Sequence, residues 1–270
     1  MDDYFPLSPQ HAHIVHFIFE WLALLIGVQT YRLLKKRHVK NNPTTPQQAG
    51  LLSKGSFAVA VGCILGAGIG NKLLFLIEMP QAWTEYGVLS LALGQTIVGG
   101  MIGGLIGIEI AKKIVGIRYS TGDLFILPFC VGLIVGRVGC SLAGLNDGTF
   151  GVATNLPWGI DFGDGIARHP TQVYDMLWAM AMLVFFHFTY PKLKAVSGLS
   201  FKLLFMSYML WRLFVDGLKP IPYEYGLGLS GIQWACLVAT LVYLPLVIKD
   251  FKKLNLLSLA GNSKVGLDGR

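Results

Sequence analysis

The chain is dominated by apolar runs of about 20 residues, the length needed to cross the hydrocarbon core of a bilayer as a helix. They fall over roughly residues 13–34, 52–77, 87–111, 122–144, 173–190, 199–217 and 230–249. Backbone groups in lipid have no water to bond, so such runs satisfy themselves as helices. The expectation is an all-α polytopic membrane protein of about seven transmembrane helices, with residues 1–270 as a single membrane-embedded domain. Only 14% of the residues are charged, against roughly 25% in a soluble domain, too few to cover a water-facing surface.

Lysine and arginine placement predicts the orientation, because cytoplasmic loops carry the excess of both. Arg32, Lys35, Lys36, Arg37, Lys40 and Lys54 surround the first connection, and Lys112, Lys113 and Arg118 the third. Lys192, Lys194 and Lys202 lie in the fifth, and Lys249, Lys252, Lys253, Lys264 and Arg270 in the tail. This alternation places the N-terminus outside and the C-terminus in the cytoplasm. The first run follows an acidic Met-Asp-Asp-Tyr rather than a basic segment, which reads as a retained helix and not a cleaved signal. The net charge of +7 is then a topology signal with affinity for anionic lipid, and it does not point to nucleic acid.

Five cations remain inside or at the outer ends of the runs: Lys72, Arg137, Arg168, Arg212 and Lys219. Ionisable groups at such depths are expensive and usually face a cavity or a substrate path. Cys63, Cys130, Cys140 and Cys236 stand singly, with no paired spacing for a metal or a disulfide framework; Cys140 reads as a packing residue or a nucleophile. Gly62, Gly66, Gly68 and Gly70, and then Gly99, Gly100, Gly103, Gly104 and Gly107, form small-residue strips suited to close helix approach or to a lipid groove. The connection at 38–54 carries no site signal. Residues 145–172 do: Asn146, Asp147, Thr149, Asp161, Asp164 and Arg168 alternate with Trp158 and Phe162, which predicts a structured extracytoplasmic loop, long enough to carry function.

Gly136-Arg137-Val138-Gly139, followed by Arg168-His169-Pro170-Thr171-Gln172-Val173-Tyr174-Asp175, resembles the prolipoprotein diacylglyceryl transferase family, whose pattern is GRxGN…G and then RHPSQLYE. Tyr208 to Asp216 is similar to the family's YxxxRFxxE, Lys219 stands where a second arginine is usual, and Leu229 to Gln233 is similar to LSxGQ. Gly103-Gly104-Leu105-Ile106-Gly107 matches the second half of HGGLIG. The resemblance spans about residues 90–240. It implies a bacterial plasma (inner) membrane enzyme that moves the diacylglyceryl group of phosphatidylglycerol to the lipobox cysteine thiol of a prolipoprotein, needing neither metal nor cofactor. Its partners would be phosphatidylglycerol, membrane lipid and the prolipoprotein signal peptide, with the active site toward the extracytoplasmic side.

Such chemistry asks for cations to hold the leaving phosphate and a group to take the thiol proton. Arg137 and Arg212 suit the phosphate, since a guanidinium matches its oxygens and stays charged when desolvated. Tyr208, one helical turn from Arg212, shares its face. The expected catalytic residues are Arg137, Arg212, Tyr208 and His169, the last as a surface base or as a structural lead-in to the fifth helix. The expected substrate contacts are Gly136, Gly139, Asp147, Asp164, Arg168, Gln172, Tyr174, Asp216, Lys219, Gly103 and Gly104; Asp216 reads equally as a structural partner of Arg212. His16 is the N-terminal histidine deep enough to enter a cavity.

The pattern departs from the family where protons are handled. Ile102 stands at the family's HGG histidine, Cys140 replaces the asparagine after GRxG, and Gly144 to Gly151 lacks the glutamate. Asp147, Asp164 and His169 are the remaining candidates for a base. Three readings stay open: the diacylglyceryl transferase itself, a related phosphatidylglycerol-dependent transferase with another acceptor, and a non-catalytic lipid-binding or transport protein.

Overall fold

The computed structural model describes residues 7–41 and 54–265. The acidic start of the chain, most of the connection at 38–54 and Arg270 lie outside the described residues. Helices α1 (Pro9–Asn41), α2 (Lys54–Glu78), α3 (Pro80–Tyr86), α4 (Ser90–Leu93), α5 (Ile97–Val115) and α6 (Ile126–Ala143) come first. A two-stranded antiparallel hairpin, β1 (Ile160–Asp161) and β2 (Ala167–Arg168), precedes α7 (Thr171–Leu193), α8 (Leu199–Val215) and α9 (Gly231–Val265).

The protein is mostly helical, as its apolar runs require, and five helices are long and apolar enough to cross a membrane: α1, α2, α6 with its flanking turns, α7 and α9. The third and sixth expected spans fall short of that measure for physical reasons. Helix α5 has 19 residues and carries Glu109, Lys112 and Lys113 at its end. Helix α8 has 17 residues, with Lys202 and Arg212 within it, and at 1.5 Å per residue covers about 25 Å.

The third run, expected as one helix over 87–111, is broken. Residues Gly87–Leu89 form a 3-10 turn, α4 follows, and Gly94 is extended at φ −157° before Thr96 caps α5 by accepting the Gly99 amide. The break is fixed from α2: Lys72 Nζ donates to the Gly94 carbonyl at 2.8 Å, and the Phe75 ring occupies the space a side chain at position 94 would need. Lys72 therefore anchors a turn.

Helices α2 and α5 pack through their glycines. A Cβ at Gly103 would lie 2.2 Å from the Gly66 carbonyl oxygen, and one at Gly107 would lie 2.0 Å from that of Gly62. The two backbones touch directly, as small-residue strips allow in membranes. A similar approach joins α1 to α6, where a Cβ at Gly139 would meet Phe19. The α6, α7, α8 and α9 helices enclose the core, in which Tyr208 lies edge-on to Phe129 and against Trp178, both at 5.1 Å between ring centroids. Outside it, Phe17, Trp21, Leu24 and Leu25 of α1, Ile64 and Ile69 of α2 and Val242 of α9 are exposed, an apolar belt that water would penalise and lipid tails accommodate.

Helix α9 opens with a capping box. The Ser230 hydroxyl accepts the Gln233 amide at 3.3 Å while the Gln233 side-chain oxygen accepts the Ser230 amide at 3.0 Å. Glu78, at the end of α2, accepts the Ile232 amide at 2.7 Å. These bonds hold the start of α9 against α2 and the end of α8.

Candidate functional site

The ends of α6, α7 and α8 converge on a buried network of charges. Arg137 projects from α6, Asp175 from the first turns of α7, and Tyr208 and Arg212 from α8, with Asp216 and Lys219 in the turn that follows. Arg137 Nε lies 2.7 Å from Asp175 Oδ2, and Arg212 reaches the same oxygen at 3.9 Å. The other Asp175 oxygen accepts the Trp211 indole N–H at 2.7 Å. Arg212 grips Asp216 with Nε at 2.9 Å and Nη2 at 2.7 Å, and Lys219 Nζ approaches that carboxylate at 3.0 Å. Spacing by four residues on α8 puts Tyr208, Arg212 and Asp216 on one helix face.

Arg137 is 5% exposed, Arg212 6% and Asp175 0%. In direct contact, three cations meet two carboxylates, and the third buried acid, Glu78, acts on Arg212 from further off. Burying a charge without a contact partner costs several kcal/mol, so three cations gathered in this way are suited to hold a further anion. Two polar side chains beside it lack a hydrogen-bond partner among the described residues. The Tyr208 hydroxyl is fully buried within the field of Arg212, Asp175 and Arg137, and Gln172 lies one turn before Asp175 on α7 with neither end of its amide bonded. Buried groups of this kind normally find partners. Together with the guanidinium groups they can donate to the oxygens of a phosphate.

A second cluster adjoins the first. Arg137 Nη1 donates to Cys140 Sγ at 3.6 Å, and the ligand atoms of Cys140, of His16 on α1 and of Asp147 after α6 lie within 4.8 Å of one another. Asp147 thus stands with His16, whose Nδ1 is 2.5 Å from its Oδ1, and with the Thr149 hydroxyl.

The other sequence-selected residues lie in the loop. His169 pairs its backbone with Gly151 and Val152, and its Nδ1 meets the Tyr174 hydroxyl at 3.2 Å. Tyr174 also accepts the Trp158 indole N–H at 2.8 Å. Arg168 bonds Asp164 at 2.6 Å and lies over the Phe150 ring; its guanidinium holds the Asp164 carboxyl below the usual carboxylate range. Asp161 accepts the amides of Gly163, Asp164 and Gly165, closing the hairpin turn. These contacts build the loop, and none joins His169, Arg168, Asp164 or Tyr174 to the buried arginines. Gly103 faces Gly66 and Gly70 and Gly104 faces Cys63 and Ala67, while Gly136 and Gly139 face Ala23 and Phe19 of α1. All four sit at helix contacts. Ile102 packs against the core.

Sequence reasoning gave no role to Asp175, which links Arg137 to Arg212. The available signal was its place at the acidic end of the Arg168–Asp175 motif, one turn after Gln172. It also missed Trp211 as the indole that holds Asp175 in place.

A family model described as prolipoprotein diacylglyceryl transferase matches residues 9–249 of this chain. The phosphatidylglycerol–prolipoprotein diacylglyceryl transferase of Dehalococcoides mccartyi is 31% identical over 211 residues, covering 72% of this chain and 78% of that protein. The similarly named protein of Methylobacillus flagellatus is 27% identical over 258 residues, covering 91% and 97%.

Proposed function

This chain belongs to the prolipoprotein diacylglyceryl transferase family, and from that premise we propose that it transfers the diacylglyceryl group of phosphatidylglycerol to the lipobox cysteine of a prolipoprotein. The acceptor sulfur attacks the sn-3 carbon of the diacylglyceryl group, the carbon–oxygen bond to phosphate breaks, and glycerol 1-phosphate leaves with the electron pair. The thiol proton passes to solvent.

The observation that carries this reading is the convergence of three buried cations, Arg137, Arg212 and Lys219, with only two carboxylates in contact with them. A phosphodiester brings a negative charge to that group. The Tyr208 hydroxyl and the Gln172 amide supply donors that have no protein partner. Held in a water-poor site, these groups stabilise the charge that grows on the leaving phosphate. The loop built by Arg168, His169 and Tyr174 covers the site and meets the prolipoprotein signal peptide.

In this reading α5 and α8 also cross the bilayer, giving seven spans. The lysine and arginine distribution supports an outside N-terminus and a cytoplasmic C-terminus, with the site on the extracytoplasmic side of the bacterial plasma membrane. A second reading, transfer to a different acceptor, is favoured by Ile102, which offers no base where the family pattern has a histidine.

The test is thioether formation on a lipobox peptide in phosphatidylglycerol vesicles. Arg137→Ala and Arg212→Ala should each lower turnover by about 10²–10³, the effect of losing one donor to a developing oxyanion. Absence of glycerol phosphate release by the wild-type protein with that peptide would overturn the reading. Release with another acceptor in its place would establish the second.

A further inference from the structure

His16 has a carboxylate on one side of its ring and access on the other. It projects from α1 toward the end of α6 and the turn after it. Its Nδ1 is buried and lies 2.5 Å from Asp147 Oδ1, an ion pair that leaves Nε2 as the ring nitrogen for an incoming group. The Asp147 side chain is 3% exposed and that of His16 37%, so the carboxylate is sealed off while the ring can still be reached. The Thr149 hydroxyl donates to the other Asp147 oxygen, fixing the carboxylate that in turn holds the ring, as in sites where an acid orients a catalytic imidazole. Cys140 Sγ stands within 4.8 Å of both groups and accepts from Arg137 Nη1 at 3.6 Å. The ring is therefore one side chain away from the guanidinium that grips the lipid phosphate. Titratable groups near it are Asp147, Cys140 and, past Cys140, Arg137, with His13 and Glu20 one turn to either side on α1.

We propose that His16 is the catalytic residue that binds the acceptor sulfur, holding it as a thiolate beside the carbon it attacks. The assignment rests on the transferase reading above. In the ion pair with Asp147 the ring carries a positive charge, and a cation beside a thiol favours the thiolate. Asp147 is a positioning residue, keeping the ring charged and in place while Nε2–H faces the acceptor.

The chemistry answers the gap left by Ile102, because a nucleophile stabilised as an anion needs no protein base. The acceptor S–H gives its proton to water, and the sulfur attacks the sn-3 carbon. The S–C bond forms as the C–O bond to phosphate breaks, and glycerol 1-phosphate leaves with the electron pair toward Arg137 and Arg212. Nothing is oxidised or reduced, and His16 keeps its proton throughout. A free thiol of pKa about 8.5 is roughly 3% ionised at pH 7, so a group that keeps it ionised contributes about 30-fold to the rate.

The experiment compares two lipobox peptides, one with cysteine and one with selenocysteine at the acceptor position, using the full-length protein in phosphatidylglycerol vesicles at pH 7. A selenol is already ionised at that pH and needs no cation to make it so. His16→Gln should lower kcat with the cysteine peptide by about 30-fold and leave the selenocysteine reaction near the wild-type rate. Asp147→Asn should show the same preference for selenium with a smaller loss, and it carries the comparison should His16→Gln fail to fold. Thermal unfolding, with and without phosphatidylglycerol, shows which variants are folded and still bind the lipid. Equal losses with both peptides, or an unchanged cysteine rate, in a folded variant overturn the role of His16 and leave the transferase reading standing. Wild-type protein that modifies neither peptide overturns both.

Discussion

Replacing Asp175 by asparagine tests the buried network most directly. The carboxylate is fully buried, ion-paired with Arg137 at 2.7 Å, hydrogen-bonded by the Trp211 indole at 2.7 Å, and approached by Arg212 at 3.9 Å. Asparagine keeps the shape and an oxygen for Trp211, sparing the roughly 1 kcal/mol of that hydrogen bond, and removes only the charge. Two buried arginines then share one remaining carboxylate, Asp216. Breaking a buried pair by deleting one partner costs about 3–5 kcal/mol, and that is the expected loss, read by thermal or denaturant unfolding in detergent. The same substitution removes the anion that competes with a phosphate for Arg137. Phosphatidylglycerol should therefore stabilise Asp175→Asn more than the wild type, while turnover falls because Arg137 is no longer held in place. Stability within about 0.5 kcal/mol of wild type, the range of an ordinary surface substitution, or equal stabilisation of both proteins by the lipid, would refute the charge reasoning.

Three other substitutions separate site from scaffold. Tyr208→Phe removes a hydroxyl with no protein partner, so it should leave stability unchanged or raised while weakening lipid use, seen as KM and kcat changes in the vesicle assay. Gly103→Leu drives side-chain atoms into the Gly66 carbonyl and should cost about 1–3 kcal/mol or more by overpacking, whereas Gly68→Ala meets open space and should gain about 0.5–1 kcal/mol of helix propensity; unfolding midpoints of the pair check both. Ser230→Ala breaks the capping box of α9 and should cost about 0.5–2 kcal/mol, measured the same way.

The helices were legible because lipid imposes one simple demand, a long apolar run that bonds itself. The broken third run was not, because Gly94-Gln95-Thr96 interrupts an apolar stretch with only three residues and the break is fixed by Lys72 and Phe75 from α2. Arg137 and Arg212 stood out as cations where none is cheap, and the structure brings them to one carboxylate. That carboxylate, Asp175, stood at the end of the quoted motif but drew no role, because it lies near the start of an apolar run, where an acid looks like an interfacial residue. Gly103 and Gly104 could line a lipid groove or a helix seam by spacing alone, and only the facing residues of α2, Gly66 and Gly70 for the first and Cys63 and Ala67 for the second, decide between the two. His16 and Asp147 sit in distant parts of the chain, and their meeting depends on how α1 leans on α6 through Gly139.

Under the proposed function, the charge of the buried network also sets a direction for traffic through the site. A phosphodiester adds one negative charge to three cations that contact only two carboxylates. The phosphomonoester left after cleavage would carry about −1.5 to −2 at neutral pH, an added negative charge that low-polarity surroundings tolerate poorly. Water solvates that charge far better, so the spent head group would be pushed outward while the intact lipid is drawn in. Such a site would clear itself without needing to move a helix.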